Sequence, residues 1–238
     1  MNGTDAHPLR VCVLIPAYNE ERHIEKVCRE VLQYVSDVVV VDDGSKDRTV
    51  EIAGSTGVHV VRHEVNKGKG AALNTGFAYA RANGFEALIT MDADGQHLPA
   101  EVPKFIEAYQ RTKIPVLIGS RMHQLESMPF VRRKTNLFMS WLLGRVMHQY
   151  VPDTQCGFRL YRCDVLPLVS TGSQRFAAES EILLNLAHRG VRMDSVRVST
   201  VYADERSKIN PVPDTLRFFR MLLDHRRRSR PRRIAGIE

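Results

Sequence analysis

Apolar residues follow two rhythms along this chain. Short apolar runs at Val11 to Ile15, Val38 to Val41, Leu88 to Met91 and Val116 to Ile118 have the length and continuity of strands covered on both faces, and Val58 to Val61 reads as a further strand. Between them, apolar positions recur every three or four residues. Glu20 to Tyr34 carries Ile24, Val27, Cys28, Val31 and Leu32 on one face, and Lys69 to Arg81 and Pro99 to Gln110 also read as helices. A shorter helix over about Arg48 to Ala53 follows Asp47, a residue type that caps helices. Strands alternating with helices predict βαβ units, hence an α/β fold built on a mostly parallel, doubly wound sheet.

Beyond Arg121 the pattern is less regular. Arg132 to Tyr150 reads as a partly apolar helix, and Asp153 to Tyr161 as a polar turn entering a short strand. Ala178 to His188 is a helix stopped by Gly190, Val196 to Val201 a strand, and Pro213 to about Arg228 a last helix. No internal repeat or Ser/Gly-rich linker interrupts the chain. One continuous domain over residues 10–215 is expected, with a tail at 1–9 and a basic amphipathic helix and tail at 216–238.

Composition changes the picture in three places. The chain of 238 residues is 43% hydrophobic and 26% charged, as expected of a globular protein with a core of ordinary size. The net charge of +7 is concentrated: from Leu216 onward, eight arginines face only Asp224 and Glu238. The body is close to neutral, which argues against a globally basic nucleic-acid binder. The four cysteines, Cys12, Cys28, Cys156 and Cys163, form no C-x-x-C pair, so neither a zinc site nor a thioredoxin-like motif is indicated, and a reduced setting fits. Neither a signal peptide nor an apolar run long enough to span a bilayer is visible, so a cytoplasmic protein is expected, or a peripheral one on the cytoplasmic face of the membrane.

The chemistry concentrates at the ends of strands. Asp92-Ala-Asp94-Gly-Gln96 leaves the fourth apolar run, so two carboxylates and an amide oxygen emerge where an open α/β sheet presents its ligands. Such an oxygen-only set suits Mg²⁺ or Mn²⁺, ions usually shared with substrate phosphates. Taken alone, Asp92-Ala-Asp94 also serves as a turn or a helix cap. Asp42-Asp43-Gly-Ser45 ends the second run, and Asn66-Lys-Gly-Lys69-Gly enters a helix whose N-terminus attracts phosphate. Lys67 or Lys69 could face a diphosphate there, or solvent.

With Pro16-Ala-Tyr18-Asn-Glu20, Gly119-Ser-Arg121, Asp153-Thr-Gln-Cys-Gly-Phe-Arg159 and Phe176-Ala-Ala-Glu-Ser-Glu181, these motifs resemble the family 2 glycosyltransferases over about residues 10–210. The order of the motifs is similar to that of polyprenyl-phosphate sugar transferases of the dolichyl-phosphate mannose and glucose synthase type. The resemblance implies a GT-A fold, a single Rossmann-like sheet flanked by helices, and inverting, metal-dependent transfer from a UDP- or GDP-sugar to a polyprenyl phosphate. It assigns Pro16, Tyr18, Glu20, Asp43, Lys69, Asp92 and Lys208 to the nucleotide-sugar, and Asp92, Asp94 and Gln96 to Mg²⁺ or Mn²⁺. Arg121 with Arg132 or Arg133 would hold the acceptor phosphate, and Asp94, Arg121 and Asp153 would be the catalytic set. Asp153 would act as a base or as an acceptor-site carboxylate, while Arg159, Glu179 and Glu181 could orient sugar or metal. Many relatives carry C-terminal transmembrane helices that this chain lacks. Its basic C-terminal helix reads either as a membrane-surface element or as a helix packed on the body. Two other functions stay open on sequence grounds: transfer to a hydroxyl acceptor, and a non-catalytic nucleotide- or nucleic-acid-binding module.

Overall fold

The computed structural model describes residues 9–124, 128, 130–169, 176–201 and 218. Their seven strands are β1 (Val11–Ala17), β2 (Asp37–Asp42), β3 (His59–Arg62), β4 (Ala87–Thr90), β5 (Val116–Ser120), β6 (Arg159–Arg162) and β7 (Met193–Arg197). They form one sheet in the order β3-β2-β1-β4-β6-β5-β7, in which β6 alone runs antiparallel, between β4 and β5. The helices are α1 (Ile24–Val31), α2 (Thr49–Ser55), α3 (Lys69–Ala82), α4 (Val102–Thr112), α5 (Phe130–Met147) and α6 (Phe176–His188). A 3-10 turn at Pro99–Glu101 leads into α4, and another at Cys163–Leu168 follows β6.

The unbroken apolar runs are explained by what covers them. Val13, Leu14, Ile15, Val39, Val40, Val41, Leu88 and Ile89 are all fully buried, because helices cover the parallel strands on both faces. Burying each such side chain contributes about 1.5–3 kcal/mol. β1 runs through Pro16 rather than stopping there. Its ladder with β4 ends at the Leu14–Thr90 pair, so a residue without an N–H costs that side nothing.

Two other elements differ from the sequence reading. α1 begins at Ile24 instead of Glu20, because residues 20–23 form a turn tied to the next segment. There the Glu20 N–H donates to Thr49 Oγ1 at 2.8 Å and the Glu21 N–H to Asp47 Oδ2 at 3.2 Å. The last strand is Met193–Arg197 rather than Val196 to Val201. It is an edge strand, burying Met193 and Val196 while exposing Asp194 and Arg197, so no continuous apolar run marks it. After Arg197 the chain leaves the sheet as the Ser199 and Thr200 N–H groups turn to Glu101 Oε2 and Gln124 Oε1, both at 3.1 Å.

No described helix is long and apolar enough to cross a membrane. The expected helix at 213–228 lies outside the described residues except for Phe218, which is helical and packs into the core.

Candidate active site

The topology gathers the predicted residues at one edge of the sheet. β1, β2, β4 and β5 run in the same direction, so Tyr18, Asp43, Asp92 and Arg121 all emerge at their carboxyl ends. β6 runs the other way, so its entry, Cys156 to Arg159, reaches that edge and its exit does not. This is where an open α/β sheet binds ligands.

At the β1/β2 end, Asp43 is buried and anchors a loop. Its Oδ1 accepts the Lys67 N–H at 2.9 Å and lies 2.8 Å from His63 Nδ1, while Oδ2 accepts the Gly68 N–H at 2.7 Å. His63 Nε2 in turn lies 2.9 Å from Thr75 Oγ1 on α3. Gly44 has φ +75°, and a Cβ there would stand 2.7 Å from the Val65 carbonyl carbon, so only glycine lets the two loops pack this closely. The neighbouring Asp42 accepts the Ser45 N–H at 3.0 Å through Oδ2, and its buried Oδ1 has no hydrogen-bond partner among the described residues. Such an oxygen has room in its hydrogen bonding for a donor such as water, an ion or a ligand. Tyr18 is exposed on the same edge, Glu20 is half-buried beside His23, and Pro16 is half-buried within β1.

In the middle of the edge, Lys69 joins two acids. Its Nζ lies 2.5 Å from Asp92 Oδ1 and 2.6 Å from Glu179 Oε1 in the first turn of α6. Burial alone would lower the Lys69 ammonium, but the two carboxylates push it above its ordinary value. Burial would likewise raise the Asp92 carboxyl, but Lys69, with Arg121, holds it well below the usual range. A Cβ on Gly157 would stand 2.9 Å from Glu179 Oε1 and 3.0 Å from Asp92 Oδ2, so this glycine makes room for both acids. The Asp92 N–H donates to His97 Nδ1 at 3.2 Å, which makes His97 an acceptor and hence neutral. Burial, stacked on Phe158, also pushes His97 down, against the pull of Asp92 and Asp94.

At the β5 end, Arg121 and Asp153 face each other. Arg121 donates from Nε to Asp153 Oδ2 at 2.7 Å and from Nη2 to Oδ1 at 2.8 Å, a bidentate pair with Asp153 fully buried. Ser140 of α5 fixes the next residue by accepting the Thr154 N–H at 2.9 Å. Arg159 is a staple: it donates to the carbonyls of Cys156, Thr154 and Glu179 at 2.7–2.9 Å. Arg133 is half-buried on α5. The side chain of Arg132, and Lys208 altogether, lie outside the described residues.

Asp94 sits between these groups. Its half-buried carboxylate accepts the Gln96 N–H at 3.0 Å, and Gln96 is half-buried beside it. Among the described residues no three His, Cys, Asp or Glu side chains converge as a closed metal cage. That fits Mg²⁺ or Mn²⁺ held by one or two carboxylates and completed by diphosphate oxygens and water, and does not fit an all-protein site. Of the two motif carboxylates, Asp94 is the one not paired with Lys69.

The sequence reading missed two participants. His97 was one residue past Gln96, and His63 stood in a strand-to-loop junction. Their pairings with Asp92 and Asp43 are three-dimensional, and only nearness to the acidic motif could have drawn attention to His97.

Comparison with known proteins places this geometry. The chain is 30% identical over 217 residues to a UDP-N-acetylglucosamine–dolichyl-phosphate N-acetylglucosaminyltransferase of Methanococcus voltae, covering 82% of this chain and 86% of that one. It is 30% identical over 210 residues to an undecaprenyl-phosphate mannosyltransferase of Micrococcus luteus, covering 81% and 84%. Its fold is similar to glucosyl-3-phosphoglycerate synthase of Mycobacterium tuberculosis, solved with Mn²⁺, UDP-glucose and phosphoglyceric acid (TM-score 0.70, 21% identity, 92% of this chain and 80% of that one). That likeness makes the fold GT-A. The family model for glycosyl transferase family 2 matches residues 12–167, so the chain belongs to that family.

Proposed function

We propose that this chain transfers one sugar, with inversion, from a UDP- or GDP-sugar to a polyprenyl phosphate. The observation that carries the reading is the Arg121–Asp153 pair: a guanidinium sits at the acceptor end, while the acid paired with it, Asp153, is sealed and neutralised. A hydroxyl acceptor needs a general base, and Asp153 is poorly placed to be one. A phosphate monoester is mostly dianionic at neutral pH and attacks without such help. Two relatives at 30% identity, whose names specify a dolichyl- or undecaprenyl-phosphate acceptor, support the same reading.

The nucleoside sits over Tyr18, Glu20 and the Asp42–Asp43 turn, with Pro16 beneath. Lys69 holds Asp92 in place and faces the diphosphate. Asp94, with Asp92 and Gln96 beside it, would hold Mg²⁺ or Mn²⁺, which when bound neutralises the departing diphosphate. Arg121, with Arg132 or Arg133, orients the acceptor phosphate, and Lys208 reaches the donor phosphates. An acceptor phosphate oxygen forms the bond to the anomeric carbon, and the bond from that carbon to the diphosphate oxygen breaks. The electron pair leaves on the nucleoside diphosphate, and no proton need move.

The test incubates the purified chain and Mn²⁺ or Mg²⁺ with a panel of UDP- and GDP-sugars, with and without a short polyprenyl phosphate, and reads product by mass spectrometry. A lipid-phosphate-sugar that disappears with EDTA and in Asp94→Ala is expected. Donor turnover that ignores the lipid phosphate would overturn the acceptor assignment.

A further inference from the structure

Helix α5 is apolar on two opposite sides. Asn136, Met139, Ser140, Leu143 and Met147 are buried toward the body. On the other side, Phe130, Leu137, Phe138 and Trp141 are 70%, 41%, 48% and 58% exposed, and Tyr150 just past the helix is 85% exposed. Lys134 and Arg145 lie in the same stripe, since the positions 130, 134, 137, 138, 141 and 145 follow helical spacing. The cations cover the rings: Lys134 Nζ stands 5.5 Å from the Phe130 centroid, and Arg145 Cζ 5.7 Å from that of Trp141. The Phe138 and Trp141 rings are themselves 6.1 Å apart.

A contiguous exposed patch of aromatic and aliphatic side chains marks an interaction surface. Its charge selects the occupant. No Asp or Glu occurs anywhere in α5, and Arg133 and Lys134 sit in its first half and Arg145 in its second. Large rings interleaved with Lys and Arg on one face suit the boundary of a bilayer with anionic headgroups. The helix is also continuous with the site, because Ser140 on its inner side fixes Thr154, next to Asp153.

We propose that the Phe130–Trp141 face of α5 docks on an anionic bilayer surface, setting the Arg121–Asp153 end of the site at the headgroup level. This deepens the polyprenyl-phosphate reading and rests on it for its purpose. A substrate whose phosphate lies at the interface is reached without leaving the membrane.

Trp141 is the only tryptophan in the chain, so its emission reports this face directly. The full chain is titrated with phosphatidylcholine vesicles and with vesicles containing phosphatidylglycerol, and flotation is measured alongside. We expect a blue shift and quenching by brominated lipid with the anionic vesicles, weakened by added salt. Leu137→Ser with Phe138→Ser keeps the probe and should lower vesicle partition at least about tenfold, with the melting temperature of the fold checked in parallel. Flotation with Trp141 emission unmoved would overturn the proposal in favour of another membrane contact. A concentration-dependent blue shift without lipid would overturn it in favour of a second copy of the chain. Transfer to polyprenyl phosphate in detergent, with no Trp141 response to vesicles, would sink the docking and leave the acceptor reading. Docking without any such transfer would do the reverse.

Discussion

Lys69 Nζ lies 2.5 Å from Asp92 Oδ1, so the first residue of α3 is locked to the second residue past β4. Glu179 completes the triad at 2.6 Å and brings in α6. Three elements far apart in sequence meet on one ammonium.

Replacing that ammonium should expose the repulsion it hides. Lys69→Met leaves Asp92 and Glu179 facing each other, and we expect a loss of about 1–3 kcal/mol in urea unfolding, below the cost for a fully sealed pair. Solvent still reaches a quarter of the Lys69 side chain. Adding Glu179→Gln should recover part of the stability but not the transfer activity. An unchanged unfolding midpoint for Lys69→Met would contradict the triad.

Asp94 should separate chemistry from folding. Its carboxylate makes one hydrogen bond among the described residues, to the Gln96 N–H. We expect Asp94→Ala to lower turnover at least about 100-fold while shifting stability by less than about 1 kcal/mol. Turnover with Mn²⁺ and a melting curve on the same sample check both.

Gly157 tests the space between the acids. A Cβ there meets Glu179 Oε1 at 2.9 Å and Asp92 Oδ2 at 3.0 Å. Gly157→Ala should displace both carboxylates, cost about 1–3 kcal/mol, and cut transfer at least about tenfold. Steady-state kinetics showing wild-type turnover would mean that the carboxylates can move without consequence.

The buried cysteines set an alkaline limit. Burial pushes the thiols of Cys12, Cys156 and Cys163 up to about 12 and that of Cys28 up to about 11. The unfolded chain releases these protons from about pH 8.5 upward, whereas the fold holds them. The unfolded state then binds fewer protons, so stability falls as pH rises, by as much as about 1.4 kcal/mol per unit for each thiol until its folded value is reached. Unfolding midpoints between pH 8 and 11 would show the decline, and Ellman's reagent should find almost no reactive thiol in the native chain at pH 8.

Much of this was legible in the sequence. The runs at Val38 to Val41 and Leu88 to Met91 marked buried parallel strands because helices cover both faces, and burial leaves a continuous signature. The motif residues also gather at one edge of the sheet, because the strands that carry Tyr18, Asp43, Asp92 and Arg121 run in the same direction. What escaped were pairings across sequence distance. Nothing local says that Arg121 meets Asp153, or that His97 accepts from the Asp92 N–H. The shift of the last strand to Met193–Arg197 escaped because this edge strand, with Asp194 and Arg197 exposed, carries no continuous apolar run. The outer face of α5 escaped for a related reason. With apolar residues on two sides, its periodicity reads as a partly apolar helix, and only the fold tells which side is covered.

The Arg121–Asp153 pair bears most directly on the acceptor. Asp153→Ala strands a buried guanidinium and should cost about 3–5 kcal/mol, whereas Asp153→Asn keeps an oxygen for Arg121. The decisive measurement offers the enzyme, Mn²⁺ and its sugar donor equal amounts of a polyprenyl phosphate and the matching polyprenol, using wild type and Asp153→Asn. The account predicts sugar on the phosphate alone, with Asp153→Asn retaining substantial transfer. Sugar on the alcohol, abolished by Asp153→Asn, would make Asp153 a general base and contradict the account.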